Sequence, residues 1–366
     1  MIKNIKDVKG KDFKITRSAE EVRELSFKNH ICIGCGICAS TCPVGAIDLN
    51  AVAIDSRRRV NVYFSGHDKI AQNIKADANI QKINDNEDKC VLCGMCSGVC
   101  PVGALQLTID GVPISEMPQY PHYTSFSEID DEECIYCERC EIACPRDAIT
   151  IERELPERKD LVTGEISVDD EECIYCGLCQ EMCPASAIAV DPVTGQESIV
   201  IDKDKCVYCL ICKRVCPTKA IKAMCRSCSY GEYDLDPLKA TVSGNSIIDP
   251  EICVYCGWCE GVCPTGAATA SKPFEGNIEI NQEECQTCGA CVDICPCNAL
   301  AFPVSDEPGQ RLDHMTVKKE YCISCGACAQ SCPNGAITVT RSEVNMTPTK
   351  SATWIDAINA IKRVIE

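Results

Sequence analysis

Eight times along this chain, four cysteines recur as C-x2-C-x2-C-x3-C with a proline immediately after. The runs are Cys32-Cys35-Cys38-Cys42, Cys90-Cys93-Cys96-Cys100, Cys134-Cys137-Cys140-Cys144 and Cys173-Cys176-Cys179-Cys183. They continue as Cys206-Cys209-Cys212-Cys216, Cys253-Cys256-Cys259-Cys263, Cys285-Cys288-Cys291-Cys295 and Cys322-Cys325-Cys328-Cys332. The closing prolines are Pro43, Pro101, Pro145, Pro184, Pro217, Pro264, Pro296 and Pro333. The repeats take 32 of the 35 cysteines and leave Cys225, Cys228 and Cys297 over. A chain punctuated in this way has little room for an ordinary core. Of 366 residues 45% count as hydrophobic, but that figure includes cysteine, and only 5% are aromatic. Without the cysteines roughly 35% remain, too few to offset chain entropy through one large core. Several small modules, each held by something other than packing, are expected instead.

Disulfides and metals are the two available staples. Secreted disulfide scaffolds are usually short and carry a leader peptide. The segment MIKNIKDVKGKDFKITRSAEEVRE has no apolar stretch of that kind, and the cysteine count is odd. Metal is the expected staple, in a cytoplasmic protein. No apolar run reaches the roughly 18 residues of a membrane span. The formal net charge of −18 argues against nucleic acid, whose phosphates need a Lys/Arg surface. There is no G-x-G-x-x-G after a strand, no P-loop and no H-E-x-x-H, so no catalytic residues are assigned.

The spacing selects the metal chemistry. Zinc sites take two pairs of ligands, whereas three evenly spaced cysteines can curl around one corner-sharing iron cube. The fourth lies one helical turn beyond the third, but proline disfavours the helical conformation for the residue before it. That cysteine is pushed away and ligates the other cluster of a pair. Glycine follows the second cysteine in six repeats (Gly36, Gly94, Gly177, Gly257, Gly289, Gly326), while Glu138 and Leu210 stand there in the third and fifth. Each motif lies between short β-branched stretches, as in Ile166–Asp170 before and Ala187–Val190 after the fourth. Each repeat therefore reads as strand, cysteine loop, helical turn, strand. The spacing thus points to clusters of the [4Fe-4S] type, eight for eight motifs. Each oxidised cube with four thiolates carries about −2, which takes the formal charge to roughly −34 and predicts low potentials.

These motifs resemble those of bacterial two-cluster ferredoxins, over about residues 20–342. The resemblance implies an α+β fold of tandem bacterial-type 2[4Fe-4S] ferredoxin modules, four modules for eight cysteine motifs, and, carried over motif by motif, makes all 32 motif cysteines expected iron ligands of eight [4Fe-4S] clusters. Four modules in one chain are similar to the polyferredoxins of methanogenic archaea. Within that family the motif number is most like the polyferredoxin subunits of molybdenum or tungsten formylmethanofuran dehydrogenase complexes. The hydrogenase-associated polyferredoxins are usually longer. The resemblance implies an electron-relay subunit, itself no enzyme, in a hetero-oligomeric complex; a free electron reservoir is the alternative that the sequence also fits. Its implied partners are formylmethanofuran dehydrogenase catalytic subunits or a hydrogenase, together with soluble ferredoxin.

Two pairings of motifs fit the spacing. Sequential pairing gives modules at 1–115 (with a polar insertion at 51–89), 124–192, 196–272 and 276–342, and then a helical tail at 343–366. The alternative treats the short connections Ala187–Asp202 and Ala267–Asn281 as hairpins, pairing the fourth motif with the fifth and the sixth with the seventh. It leaves the first and last to close on each other. The insertion carries Arg57-Arg58-Arg59, read as a solvated turn. In the tail Trp354, Ile355, Ile358, Ile361 and Ile365 form an apolar stripe expected to pack on the last module. The three leftover cysteines are expected to be reduced structural thiols. His30, His67, His122 and His314 are not needed as ligands. Tyr136, Tyr175, Tyr208 and Tyr255, each just before a second cysteine, are expected to pack there.

Overall fold

The computed structural model describes residues 4–18, 20–49, 83–155, 164–193, 197–225, 242–302 and 315–365. Most of the insertion with its arginines, His67, His314 and Cys228 lie outside these residues. Two compact units are present: residues 1–126, 250–256 and 271–366, and residues 127–249 with 257–270.

Every motif builds one very short helix: α1 (Ile37–Thr41), α2 (Met95–Gly98), α3 (Arg139–Ala143), α4 (Leu178–Glu181), α5 (Ile211–Val215), α6 (Trp258–Val262), α7 (Ala290–Ile294) and α8 (Ala327–Ser331). A ninth, α9 (Ala352–Ile361), follows the repeats. In six motifs the helix stops at the fourth cysteine, which the following proline holds extended as its sterics require, whereas α2 and α4 end one residue sooner, at Val99 and Met182. Cys42 has φ −67° and ψ 113°, and Cys144, Cys216, Cys263, Cys295 and Cys332 are extended in the same way. Helices of one turn are unstable alone and persist here through packing.

The helices pack in pairs: α1 with α2, α7 with α8, α3 with α6, and α4 with α5. Strand pairing agrees. In the second unit, the connection between the fourth and fifth motifs is an antiparallel hairpin, Ile188–Asp191 against Ser198–Ile201. The outer strands of the same two motifs, Gly164–Val168 and Ile221–Cys225, also pair. Around them, the third motif's Ile149–Glu154 pairs with the sixth motif's Ser243–Ile248, and Phe126–Ile129 with Ala268–Ser271. One module is thus inserted into another.

This corrects the expected modules at 124–192 and 196–272, because the expected break near residue 192 is the middle of a hairpin. The alternative is corrected too. Ala268–Ser271 and Phe274–Ile280 are separated only by Lys272-Pro273, and they pair with different partners. Two-residue hairpins use turns with positive φ, and the proline ring holds φ near −65°. The expected turn residue Gly276 instead lies within Phe274–Ile280 at a register shift against Ile337–Val344. A Cβ there would meet the Thr340 carbonyl oxygen, so only glycine allows the approach.

In the first unit, Val22–Phe27 pairs with Leu105–Ile109. A hairpin of Ile5–Lys9 and Asp12–Ser18 extends this sheet, turning at Gly10 with φ 65°. Phe13 stacks on Phe27 at 5.1 Å, and both are buried. The tail reaches two modules rather than the last alone. Val364–Ile365 pairs with Ile337–Val344, while Trp354 meets Tyr120 edge-on at 6.2 Å beside Gly98. Trp354 and Ile361 are buried, and Ile355 is exposed.

Candidate iron–sulfur centres

Each motif folds back on itself through left-handed residues. The residue before the second cysteine has φ between 50° and 72° in every repeat: Gly34, Leu92, Tyr136, Tyr175, Tyr208, Tyr255, Thr287 and Ser324. The residue after the second cysteine is left-handed as well. Glu138 (φ 64°) and Leu210 (φ 63°) take the conformation that glycine takes in the other six. They hold it at a cost of about 1 kcal/mol or more. Glu138 is compensated by an ion pair with Arg153 Nε at 3.1 Å, and Leu210 by burial. The four tyrosines owe their position to this bend. Tyr136, Tyr208 and Tyr255 turn their backbone N–H toward the preceding cysteine, with N to Sγ distances of 3.3 to 3.4 Å.

The bends gather cysteines from two motifs around one concavity. Cys32, Cys35 and Cys38 share a space of about 350 Å³ with Cys100. Cys90, Cys93 and Cys96 share one of about 360 Å³ with Cys42. Cys206, Cys209 and Cys212 are joined by Cys183 around about 340 Å³, and Cys322, Cys325 and Cys328 by Cys295 around about 340 Å³. Cys134, Cys137 and Cys140 are joined by Cys263 around about 330 Å³. The fourth cysteine always comes from the partner motif. Cys183 beside Cys206, rather than beside Cys134, corrects sequential pairing at the level of the thiols. The thiols stand apart around each concavity instead of converging on a point. Among the described residues, no three Cys, His, Asp or Glu side chains lie close enough to hold a single ion.

Electrostatics define what such a site needs. Burial, then the charges of neighbouring thiols, pushes Cys140 up to about 12 and Cys38 and Cys96 well above the usual thiol range. Cys291 is pushed up to about 12 by burial and by Cys288, Cys285 and Cys332. Four buried thiolates together are therefore stable only around strong positive charge, which bound iron supplies. Apart from the thiols, four of the linings carry no charged side chain, while the one around Cys134 also includes Glu138, Arg139 and Thr265; backbone donors face the sulfurs. The N–H groups of Ala46, Ala104, Ala148, Ala187, Ala299 and Ala336 donate to the fourth cysteines Cys42, Cys100, Cys144, Cys183, Cys295 and Cys332, with N to Sγ distances of 3.2 to 3.3 Å. Cys216 and Cys263 add a threonine hydroxyl, Thr218 at 3.6 Å and Thr265 at 3.5 Å. Burial opposes ionisation of these two, but the hydroxyl and several backbone N–H groups outweigh it and hold them below the usual range. Thr218 and Thr265 were not singled out in the sequence, although each follows a Cys-Pro pair directly. The donor set, its spacing and its dry lining fit a multi-iron cluster.

The centres of the first unit adjoin one another across modules. A Cβ on Gly34 would lie 3.8 Å from Ile294 Cδ1 of the seventh motif, and one on Gly36 would lie 3.9 Å from Gln330 Cδ of the eighth. Cys297 is buried at 1% exposure. Burial first, then a hydrogen bond with Cys256 and the charges of Cys256, Cys295 and Cys325, raise its thiol well above the usual range. It is therefore set among the thiols of the sixth, seventh and eighth motifs. Cys225 ends the strand Ile221–Cys225.

Comparison with known proteins agrees with this chemistry. The 4Fe-4S dicluster domain family matches residues 31–104, 133–187, 172–220 and 278–336, and a second dicluster family matches 245–296. Two of these matches both claim the fourth motif, so neighbouring motifs in sequence do not by themselves define a module. The polyferredoxin protein FwdF of Methanocaldococcus jannaschii is 38% identical over 167 residues, 45% of this chain and 42% of that protein. NADH-quinone oxidoreductase subunit I of Pelobacter propionicus is 36% identical over 72 residues, 20% of this chain and 38% of that protein. The matches thus span less than half the length of either curated relative. Among solved structures, a chain of the formate dehydrogenase–heterodisulfide reductase–formylmethanofuran dehydrogenase complex of Methanospirillum hungatei superposes with a TM-score of 0.63 at 27% identity, over 99% of this chain and 92% of that one. With dicluster matches over more than half its length and four cysteines from two motifs around each described concavity, the chain belongs to the 4Fe-4S dicluster domain family.

Proposed function

We propose that this protein is a polyferredoxin that carries eight [4Fe-4S] clusters and relays electrons one at a time between other redox subunits. The observation that carries the reading is the exchange of fourth cysteines. Five concavities each present three thiols of one motif and one of its partner, in the ligand pattern of two-cluster ferredoxins. The remaining three sets follow from the same exchange, making all 32 motif cysteines ligands. Each cluster would accept or release one electron without bond making. The chain's own residues do the rest. They exclude water with Ile, Val and Leu side chains, fix the sulfurs through left-handed bends, and aim N–H groups at the sulfurs, which raises potential.

The contact of first-motif and last-module loops supports a continuous route through the first unit. Partners are proposed from the relatives: catalytic subunits of a formylmethanofuran dehydrogenase complex, with catalysis outside this chain. No helix among the described residues is long and apolar enough to cross a membrane. We place the protein in the cytoplasm, where thiols stay reduced.

Anaerobic purification from the native source tests both levels. About 32 irons and as many sulfides per chain are expected, with molybdopterin-type subunits bound. A hydrogenase as the only companion would move the terminus of the relay. Iron near half that value would refute the assignment of ligands, and midpoints mostly above zero millivolts would refute low-potential carriage.

A further inference from the structure

Arg341 is 4% exposed, a buried cation in a chain of strongly negative charge. It sits on Ile337–Val344, just beyond the last motif. Its Nε donates to the Ser324 carbonyl at 2.8 Å, Nη1 to the Ile361 carbonyl at 3.2 Å, and Nη2 to the Cys325 carbonyl. The guanidinium lies over the Phe274 ring, 4.8 Å from its centroid, and Phe274 meets Tyr123 edge-on at 5.6 Å. No carboxylate pairs with Arg341 among the described residues. Carbonyl dipoles and a ring face satisfy its donors but leave its charge uncompensated, which is expensive in a dry interior.

Cysteines of two centres lie around it: Cys325, whose carbonyl it binds, and Cys35, which packs against the apolar cluster containing Phe274. Arg341 is hydrogen-bonded to the cysteine loop of the eighth motif, at the place where the loops of the first motif lie against α7 and α8. The Phe274 ring under the guanidinium is part of the cluster against which Cys35 and Tyr123 pack, and burial works against the charge of Arg341 while Cys35, Cys325 and Tyr123 favour it. Those two cysteines belong to different modules: Cys35 to the set with Cys32, Cys38 and Cys100, and Cys325 to the set with Cys295, Cys322 and Cys328. Cys35 and Cys325 also feel each other's charge.

We propose that Arg341 is a built-in counter-charge for these two clusters, and that it makes them the favoured resting place for an electron in the first unit. It is a positioning residue, acting on potential through space rather than exchanging electrons. The step it favours is a one-electron reduction by a low-potential donor. One electron enters a cluster core, no bond is made or broken, and Arg341 keeps its proton before and after. The proposal rests on the cluster-bearing reading above.

The test is an anaerobic redox titration of the holoprotein, followed by electron paramagnetic resonance with dithionite as reductant, for the wild type, Arg341→Gln and Arg341→Lys. Iron per chain is measured first, because loss of iron in the wild type itself would refute the cluster-bearing reading rather than this one. In iron-replete Arg341→Gln, the reduced-to-oxidised ratio of two clusters at fixed ambient potential should fall about tenfold, about 59 mV for a one-electron couple. Arg341→Lys keeps the charge and loses the planar fork, and should recover most of that ratio. Unchanged midpoints in iron-replete Arg341→Gln, or equal shifts in both variants, would overturn the proposal. If Arg341→Gln does not retain iron, Cys35→Ser and Cys325→Ser decide. The signal that appears first on reduction should change in both, and a first signal unaltered by either refutes the assignment.

Discussion

Excising the inserted module puts the nested topology to its hardest test. Glu154 and Ser243 face each other at the open end of the pair Ile149–Glu154 and Ser243–Ile248. Residues 155–242, 88 in number, can therefore be replaced by Asn-Gly, which favours a two-residue hairpin turn. Loop-closure entropy changes by about 0.6 kcal/mol per doubling, so shortening from 88 residues to two favours the host module by about 3 kcal/mol at most. Against this, Met182, Val207, Ile211 and Val215 of the insert pack with Ile135 and Tyr136 of the host in one apolar cluster. Losing that cover costs roughly 1.5–3 kcal/mol for each host side chain newly exposed. The host should fold with a net loss of a few kcal/mol and keep its clusters. Iron then falls from about 32 to about 24 per chain, the loss of two cubes. Sequential pairing would instead orphan the third and sixth motifs together, leaving about 16. Iron and sulfide analysis of the anaerobic variant separates these values easily. A result near 16 in a variant that retains its far-UV circular dichroism would refute the nested reading.

Three further outcomes follow from particular contacts. Glu138→Gly relieves left-handed strain of about 1 kcal/mol and gives up one partly exposed ion pair, so the rate of cluster release in denaturant should change less than threefold. Leu210→Gly relieves the same strain but empties a buried position, and should be destabilised by about 2 kcal/mol, accelerating release markedly; equal behaviour of the two variants would contradict this account. Thr218→Val and Thr265→Val remove a donor from Cys216 and Cys263, and should lower the midpoint of one cluster each, measured by potentiometric titration. Because burial raises thiols such as Cys140 (to about 12) and Cys291 (to about 12), loading iron into the apoprotein displaces protons. The apoprotein holds these thiols neutral below their raised values and loses that preference as pH rises. Iron reconstitution should therefore strengthen from pH 6 to pH 9, and a flat profile would contradict it.

The local chemistry was legible because it is written in adjacent residues. Cys-Pro announces where each helix stops and which way the fourth thiol points, and the extended dihedrals of Cys42, Cys144 and their counterparts follow from that steric rule alone. The pairing was not legible because the flanking strands are interchangeable. Ile149–Glu154 and Gly164–Val168 both alternate apolar and polar residues, and nothing local says which partner either takes. The length of the connection was a partial guide. It identifies the hairpin between the fourth and fifth motifs, and fails between the sixth and seventh because Pro273 forbids the turn. Glu138 and Leu210 looked like loops deprived of glycine. In the structure they bend as the others do, one held by Arg153 and one by burial. The buried Arg341 carried no signal in the sequence, since a lone arginine beyond a motif reads as surface.

The insertion of one module within another also sets an order on biosynthesis. Chains emerge from the ribosome amino end first. The fourth and fifth motifs become available together, 33 residues apart at their first cysteines, and can complete their exchange of thiols while synthesis continues. The third motif, made earlier, has to wait through all of them for Cys263 before its own set of four is closed. For that interval it is the most oxidant-exposed part of the nascent chain, with three cysteines and no fourth. A cell making this protein thus needs iron delivery and a reducing environment through the interval between synthesis of Cys140 and synthesis of Cys263.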